Sequence, residues 1–341
     1  MKKNILYLGV GLAVVFAAAC TRVRKSNEGQ EAVPEFVLTY AENQAEDYPT
    51  TQGAYKFKEL VYERTGGKIE IQVNTSGILG DERTVIEQLQ FGGVDFARVS
   101  LSPLAEFVPK LNILQMPYLY TNREHMWKVL DGPIGDDFMN SFGDSSLVPL
   151  SWYDAGARSF YNSSRPIESL KDMEGMKIRV QESALAMDTI EALGAVPVPM
   201  TYGDVYSAIQ TGKINGAENN WPSYESTGHH EVARYFTRDE HTRVPEIQLV
   251  SRSTWDKLPA EYRQIIGQCA RESALYERDL WADREQLSEE RTRKAGCVVT
   301  ELPLKEKTRF REAVAPLYKK YCSDYEDIIK AIADTGKEHS Q

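Results

Sequence analysis

Apolar and polar residues alternate along several short segments of the chain, and stretches with helical spacing separate these segments. Strict alternation is typical of half-buried β-strands. Four segments are predicted to be short strands: FVLTYAE (36–42), KIEIQVN (68–74), VDFARVS (94–100) and LVPLSWY (147–153). Residues 49–64 carry apolar side chains at helical spacing, and residues 81–91 are also predicted to be helical. This alternation of strands and helices predicts open α/β sheets flanked by helices.

The longest predicted helix covers residues 259–295. Its apolar and small side chains form one stripe, which consists of Tyr262, Ile265, Ile266, Cys269, Ser273, Tyr276 and Leu280. Between Gly267 and Gly296 the segment contains neither proline nor glycine. A helix this long in a globular chain usually bridges separate parts of the structure, although the periodicity itself establishes only its length and its amphipathic character.

The length and charge of the chain narrow the classes of function. The chain has 341 residues, which exceeds one ordinary hydrophobic core, so we expect two domains. Its formal net charge is −10; without Lys2 and Lys3, 38 basic residues stand against 50 acidic ones, which gives −12. An acidic balance of this size argues against a nucleic-acid-binding protein. It leaves room for an anionic ligand, because a few arginines can dominate one cleft.

The N-terminus has the pattern of an export signal. Two lysines precede an apolar run at residues 5–19 that is too short to span a bilayer comfortably. Three alanines lead directly into Cys20, as in a lipoprotein processing site, so we predict a signal peptide at 1–19 and a lipid anchor on Cys20. Residues 20–34 would then form a flexible tether to the membrane. The alternative is an ordinary cleaved signal in which Cys20 carries no lipid.

Three more cysteines follow Cys20, and they leave the redox state open. An odd number of exported cysteines leaves at least one of them unpaired. Cys269 lies on the stripe of the long predicted helix, which favours a buried thiol, whereas Cys297 and Cys322 could form a disulfide or remain reduced.

The densest group of candidate binding residues lies at 154–227. Arg158 and Arg179 offer planar guanidinium groups, which bind a carboxylate bidentately. Asn219 and Asn220 carry amides that both donate and accept hydrogen bonds, which suits sugar hydroxyls. No nucleophile–base pair accompanies them. These residues predict a pocket for a small hydroxylated acid.

The same region resembles the solute-binding proteins of TRAP transporters, the tripartite ATP-independent periplasmic transporters. The resemblance rests on LKDMEGMKIRV (170–180), on YGDVYSAIQTGKINGAE (202–218) and on the arginine before SFYN, and it extends from about residue 36 to about residue 321. The family implies an extracytoplasmic binding protein. Its partner would be a permease of one small and one large membrane subunit, driven by an ion gradient instead of ATP.

The resemblance also implies the architecture: an α/β, two-domain periplasmic-binding-protein-like fold with a hinge, an interdomain cleft and a long helix spanning both domains. Ligand contacts from both domains would exist only in the closed state, so ligand would shift the population toward closure. We expect the domains at these boundaries: domain I at 35–154 and 244–285, domain II at 155–243 and 286–322, and a C-terminal helix and tail at 323–341.

Matching positions in the family suggest roles for individual residues. Arg179 matches the arginine that pairs with the ligand carboxylate, and Asn219 matches a position that reaches the ligand from the second domain. Arg158 matches an arginine that supports the ligand or domain closure, with a structural ion pair as the alternative. Asn220 can touch the same ligand as Asn219 only if the strand has ended there. Trp221 could stack on a sugar face or belong to the hydrophobic core.

Further candidates lie at the ends of predicted strands, where open α/β sheets bind ligands. Glu42 and Asp47 follow the first strand, and a solvated loop is the alternative for this segment. Arg98 ends another strand. It would suit a ligand with a second anionic or strongly polar end, or it forms a buried pair with an acidic neighbour such as Glu42.

We predict a hexuronate, such as glucuronate or galacturonate, as the ligand. One arginine matches a carboxylate, and the surplus amide, acid and arginine groups match several hydroxyls. The segments AENQ and DFARVS also resemble those of uronate-binding family members. A C4-dicarboxylate or another hydroxy acid is the alternative ligand, and a surface-anchored glycan hydrolase is the alternative from a different class.

No cofactor, no metal and no enzymatic activity are predicted. His229, His230 and His241 fit no common zinc pattern, and no Cys-x-x-Cys spacing is present. Calcium or sodium held by oxygen ligands stays open. No spacing singles out the carboxylate pair of a glycosidase.

Overall fold

The computed structural model describes residues 33–143 and 145–337. The predicted signal peptide and Cys20 therefore lie outside the described residues, as does almost all of the predicted tether. The strands are β1 (Phe36–Ala41), β2 (Ile69–Asn74), β3 (Phe96–Ser100), β4 (Leu147–Tyr153), β5 (Ala157–Asn162), β6 (Lys177–Val180), β7 (Val196–Pro199), β8 (Gly216–Asn219), β9 (Tyr235–Arg243), β10 (Glu246–Ser251) and β11 (Val298–Glu301).

Helices flank these strands along the whole described chain. They are α1 (Pro49–Arg64), α2 (Glu82–Phe91), α3 (Leu101–Leu104), α4 (Arg123–Leu130), α5 (Pro133–Asn140), α6 (Ala184–Ala192), α7 (Val205–Gln210), α8 (Trp221–Ser226), α9 (His229–Val232), α10 (Arg252–Lys257), α11 (Ala260–Lys294), α12 (Leu304–Cys322) and α13 (Glu326–Lys337). None of the helices in this part of the chain is both long and apolar enough to cross a membrane.

The strands and helices predicted from the hydrophobic pattern are present, with small shifts at their ends. The helix α2 begins one residue later than predicted because Asp81 is its N-cap, and its side chain accepts a hydrogen bond from the Thr84 amide at 2.8 Å. The strand β3 begins at Phe96 because the preceding Asp95 turns to accept a hydrogen bond from the Thr39 amide at 2.8 Å.

The strands form two separate sheets, each in its own lobe. The first sheet has the order β2-β1-β3-β10-β4, and the second has the order β11-β9-β5-β8-β6-β7. In the first, β1 is parallel to β2 and β3, whereas β10 is antiparallel to β3 and β4. This arrangement is the two-lobed α/β architecture expected from the sequence. The domain boundaries proposed above stay a prediction.

The chain passes between the two sheets three times. Residues 154–156 connect β4 to β5, residues 244–245 connect β9 to β10, and α11 makes the third passage. The helix α11 packs against α1 and β4 of the first lobe and against α8 of the second lobe. The long predicted helix therefore does span both lobes.

The buried face of α11 departs from the predicted stripe in its second half. Cys269 and Ser273 are fully buried as predicted, but Tyr276 is 40% exposed. The buried face continues instead through Glu277 and Trp281, each four residues after the last, because a helix returns to the same side after three or four residues. Glu277 Oε2 accepts a hydrogen bond from the Asp154 amide at 3.0 Å, which ties the helix to a passage between the lobes.

The three described cysteines are free thiols. Cys269 and Cys322 are buried, and Cys297 is half-buried, where its sulfur lies 3.3 Å from the Tyr224 hydroxyl. The buried thiol predicted for Cys269 is confirmed, and the disulfide considered between Cys297 and Cys322 is not formed.

Trp281 should be the most costly side chain to remove from α11. It is fully buried and packs edge-on against the Tyr48 ring with 5.7 Å between ring centroids. We expect Trp281→Ala to lower the free energy of unfolding by about 3–5 kcal/mol, measured by urea denaturation. Leu275→Ala on the same helix is the control, because Leu275 is 58% exposed. A control as destabilised as Trp281→Ala would contradict this assignment of the buried face.

Candidate ligand-binding site

A polar cavity of about 290 Å³ lies between the two lobes. This volume is at the low end for small-molecule sites, which suits a small ligand. Side chains of both lobes line it. They include Asn43, Gln44, Glu82, Arg98 and Glu246 from the first lobe, and Arg158, Arg179, Gln181, Tyr202, Asn219 and Asn220 from the second.

Arg179 is a buried cation without a carboxylate partner among the described residues. The strand β6 directs it into the cavity, and its side chain is only 4% exposed. Its Nε and Nη2 atoms both donate hydrogen bonds to the Met200 carbonyl, at 2.9 and 2.7 Å. Burial lowers the pKa of Arg179, because the charged form is deprived of water. An anion in the cavity would supply the missing countercharge.

Arg158 lines the same cavity but is already paired within the protein. Its Nη2 donates to Glu218 Oε1 and to the Glu218 carbonyl, both at 2.8 Å, and its Nε also bonds the Glu218 carboxylate. Burial by itself would raise the pKa of Glu218, but Arg158 and His241 outweigh burial and lower it to about 2. Arg158 thus combines a position in the cavity wall with the ion pair considered from the sequence.

His241 supports this ion pair from behind. Its Nε2 lies 3.5 Å from Glu218 Oε2, its Nδ1 lies 2.9 Å from Asp239 Oδ2, and its ring stacks on Phe160 at 4.3 Å. Burial would lower the pKa of His241, but the two carboxylates prevail and raise it to about 9. The imidazolium is therefore the form present at neutral pH.

Arg98 is fully enclosed by polar partners. Its Nε donates to Glu42 Oε2 at 3.0 Å, and its Nη2 bonds the Glu42 carboxylate and Asn43. Its Nη1 donates to Glu82 Oε1 at 3.2 Å and lies 2.8 Å from Glu246 Oε2. The buried pair between Arg98 and Glu42, one of the two sequence alternatives, is formed.

The two adjacent asparagines both reach the cavity because the strand ends between them. β8 ends at Asn219, and Asn220 is the N-cap of α8, where its Oδ1 accepts from the Ser223 amide at 2.7 Å. Asn219 Oδ1 accepts a hydrogen bond from Arg158 Nη1 at 2.9 Å. The Asn219 amide nitrogen has no hydrogen-bond partner in the described residues. Asn220 Nδ2 donates to the Ala155 carbonyl at 2.9 Å, in a passage between the lobes.

Three of the predicted site residues do not line the cavity. Trp221 stacks on Phe236 with 3.6 Å between ring centroids and belongs to the core of the second lobe, the alternative considered for it. The Asp47 side chain is 72% exposed and pairs with Arg284 of α11 at 3.1 Å. Glu42 pairs with Arg98 and is not part of the cavity wall.

Sequence reasoning missed Glu82, Glu246 and Tyr202 as cavity residues. Glu82 directly follows the N-cap of α2, and Glu246 begins β10. Because β10 is antiparallel to β3, its first residue lies at the carboxyl end of β3. The position of Glu246 could be predicted only from the strand order, because the local sequence VPEIQ (244–248) contains no signal for it.

Family comparison agrees with this geometry. The family model of bacterial extracellular solute-binding protein, family 7, matches residues 40–324. The chain belongs to this family. Solved TRAP periplasmic solute-binding proteins share its fold over most of the chain.

Three similar proteins illustrate the relationship. A solute-binding protein of Chromohalobacter salexigens is 36% identical over 84% of this chain and 85% of its own length. The structure of a TRAP periplasmic solute-binding protein from a Bradyrhizobium species, in complex with galacturonate, has a TM-score of 0.85 and 39% identity over 87% of this chain and 99% of that one. The structure of a TRAP periplasmic solute-binding protein from Pseudomonas putida, with bound D-glucuronate, has a TM-score of 0.86 and 35% identity. It covers 89% of this chain and 98% of that one.

His241 should make the stability of this solute-binding protein depend on pH. A histidine whose pKa rises on folding stabilises the fold fully below its unfolded pKa of about 6.5, and that contribution is lost as the pH rises through about 9. The unfolding free energy of wild type should therefore exceed that of His241→Gln by less at pH 9.5 than at about pH 6.5. Urea denaturation of both proteins across this range measures the difference, and a constant difference would contradict the imidazolium assignment.

Proposed function

We propose that this TRAP solute-binding protein captures a hexuronate, glucuronate or galacturonate, and delivers it to a permease of one small and one large membrane subunit. The observation that carries the proposal is the unpaired buried guanidinium of Arg179 in the cavity wall. A buried charge without a partner is costly, so a ligand carboxylate that pairs with it gains strongly. Delivery outside the cytoplasm follows the family, whose members are extracellular solute receptors.

The remaining cavity groups suit hydroxyls. Carboxylates of Glu82 and Glu246 and the side-chain oxygen of Gln44 accept hydrogen bonds, and the Asn219 amide nitrogen donates one. A molecule with one carboxylate and several hydroxyls satisfies both sets, as a uronic acid does. Solved relatives at 35–39% identity contain glucuronate or galacturonate, which supports the same ligand class here.

Binding would favour closure of the lobes. The lobes already touch through a few polar contacts across the cleft, such as Tyr202 to Gln44 at 3.4 Å and the Ala184 amide to Glu106 at 2.9 Å. A ligand that pairs with Arg179 of the second lobe and with Glu246 of the first adds contacts that exist only when the lobes are together. The permease would then recognise the closed form.

We further propose that no chemical step follows binding, because the family consists of solute receptors. A glycan hydrolase is the competing function. Incubation with oligouronides distinguishes the two, since new reducing ends would favour the hydrolase.

Replacement of Arg179 should remove the carboxylate partner. We expect Arg179→Ala to lower the affinity for galacturonate roughly 30-fold or more, measured by calorimetry, because one partner of a buried charge pair is worth about 2–5 kcal/mol. Arg179→Lys should also bind poorly, because an ammonium group does not reproduce the planar fork. Galactose and succinate should bind wild type much more weakly than galacturonate. Galactose has no carboxylate for Arg179, and succinate has no hydroxyls for the amide and acid groups, so each ligand leaves buried polar groups unpaired.

Arg165→Ala is the matched control for Arg179→Ala, because Arg165 is exposed, lies outside the cavity wall and donates a hydrogen bond from its guanidinium to the Asp172 carbonyl. It should bind galacturonate as wild type does. Near-normal binding by Arg179→Lys would exclude bidentate recognition. Tightest binding to succinate would overturn the uronate ligand and leave the family assignment intact.

We also propose that a lipid on Cys20 anchors the protein to the outer face of a membrane, with residues 20–34 as the tether. Cys20→Ser should then release the protein from the membrane fraction while the binding affinity of the folded part stays unchanged. Fractionation, together with the mass of the N-terminal peptide, tests this. A wild-type peptide without lipid mass would show that the signal is an ordinary one.

A further inference from the structure

Two of the three buried arginines in the cavity wall, Arg179 and Arg98, differ in the charge of their surroundings. Arg179, in the second lobe, meets no carboxylate in the described residues, and its Nη1 has no partner there. Arg98, in the first lobe, makes four hydrogen bonds to side chains, and Glu246 Oε2 lies close to its Nη1 without forming a hydrogen bond. Glu42 takes Nε and Nη2, Asn43 also takes Nη2, and Glu82 and Glu246 lie at 3.2 and 2.8 Å from Nη1.

The surroundings of Arg98 carry an excess of acidic groups. Three carboxyl groups, those of Glu42, Glu82 and Glu246, surround one guanidinium. Glu82 and Glu246 also line the cavity. A ligand hydroxyl can donate hydrogen bonds to these carboxylates. A ligand carboxylate in the same place would meet like charge, and Arg98 beside it is already paired with these carboxyl groups. The half-exposed Arg83 of the same wall lies 3.4 Å from Glu87.

We propose that Glu82 and Glu246 determine specificity by rejecting a second carboxylate, so that the site selects polyhydroxy monoacids over the corresponding diacids. The proposal rests on the proposed function, because it assumes that Arg179 binds the first carboxylate. Arg98 is then not the receptor for a second anionic end, which was one of the two roles that the sequence left open for it.

The protonation of Glu246 offers a way to vary this rejection. Burial raises the pKa of Glu246 to about 8; Arg98 and Arg158 oppose the rise, whereas Glu82 and Glu42 add to it. Two more titratable groups, the buried Glu277 of α11 and the buried Tyr48, also interact electrostatically with Glu246. An acid with a raised pKa gains its negative charge only as the pH rises through that pKa. Rejection of a diacid should therefore strengthen between about pH 6 and about pH 8.5.

Aldonates and aldarates provide a matched pair of ligands. Gluconate and glucarate have the same carbon chain and differ at one end, where glucarate has a carboxylate in place of a CH₂OH group; galactonate and galactarate form a second pair. We expect wild type to bind the aldonate at least about tenfold more tightly than the aldarate at about pH 8.5, and this ratio to fall at about pH 6. Calorimetry of the purified protein gives all four affinities, with glucuronate and galacturonate as reference ligands.

Two variants identify the source of the discrimination. Glu246→Gln and Glu82→Gln keep the size and a hydrogen-bond acceptor but remove the charge. Each should lower the ratio of aldonate to aldarate affinity at least about fivefold at pH 8.5, and Glu246→Gln should lose most of the dependence on pH. Glu174→Gln is the control, because Glu174 is exposed and outside the cavity, so the same change in net charge should leave the ratio unchanged.

The outcomes separate this inference from the proposed function. If wild type bound the aldonate and the aldarate equally, the inference on Glu82 and Glu246 would be overturned. Tight uronate binding in the same experiment would still support the proposed function. A ratio that stays unchanged in both glutamine variants would overturn the inference too. If a variant does not fold, the pH dependence of the wild-type ratio decides, and a flat ratio contradicts the role of Glu246. Failure of every sugar acid to bind would refute the proposed function itself.

Discussion

The buried guanidinium of Arg179 is the interaction on which the account of this site depends. A cation withdrawn from water needs a countercharge, and the described residues supply none to Arg179 beyond the Met200 carbonyl. The other two buried arginines of the cavity are paired, Arg98 with Glu42 and Arg158 with Glu218, and a fourth arginine, Arg83, is half exposed. Among the buried arginines of the cavity, Arg179 is therefore the one that lacks an anionic partner in the described residues, and the surrounding acids and amides suit hydroxyls.

The connections between the lobes determine how such a cavity can open. Two short passages and α11 connect the two sheets, and α11 is fixed to one passage through Glu277, whose carboxyl oxygen accepts a hydrogen bond from the Asp154 amide. Burial raises the pKa of Glu277 well above its usual range, which favours a neutral carboxyl beside this passage. Across the cleft, the lobes are also joined by polar contacts between side chains, such as Tyr202 with Gln44. Contacts of this kind are weak in water, so a ligand that touches both lobes can decide between open and closed forms.

Much of the fold could be predicted from the sequence, because strand alternation and helical spacing are local signals. Arg179 and Asn219 could be placed in the site by family resemblance. Glu82 and Glu246 could not, because their position depends on the antiparallel pairing of β10 with β3, which no local pattern contains. Trp221 illustrates the opposite difficulty: its neighbours in sequence line the cavity, but the start of α8 turns its ring onto Phe236. On α11, an apolar stripe predicted Tyr276 to be buried, whereas the neighbouring Glu277 occupies that face.

The central claim is that the ligand carboxylate forms an ion pair with the Arg179 guanidinium. A crystal structure of the protein with galacturonate tests it most directly. The account predicts the carboxylate within hydrogen-bonding distance of the Arg179 guanidinium, with ligand hydroxyls directed toward Glu82 and Glu246. A carboxylate bound at Arg98, or an Arg179 that contacts no anionic group of the bound ligand, would contradict it.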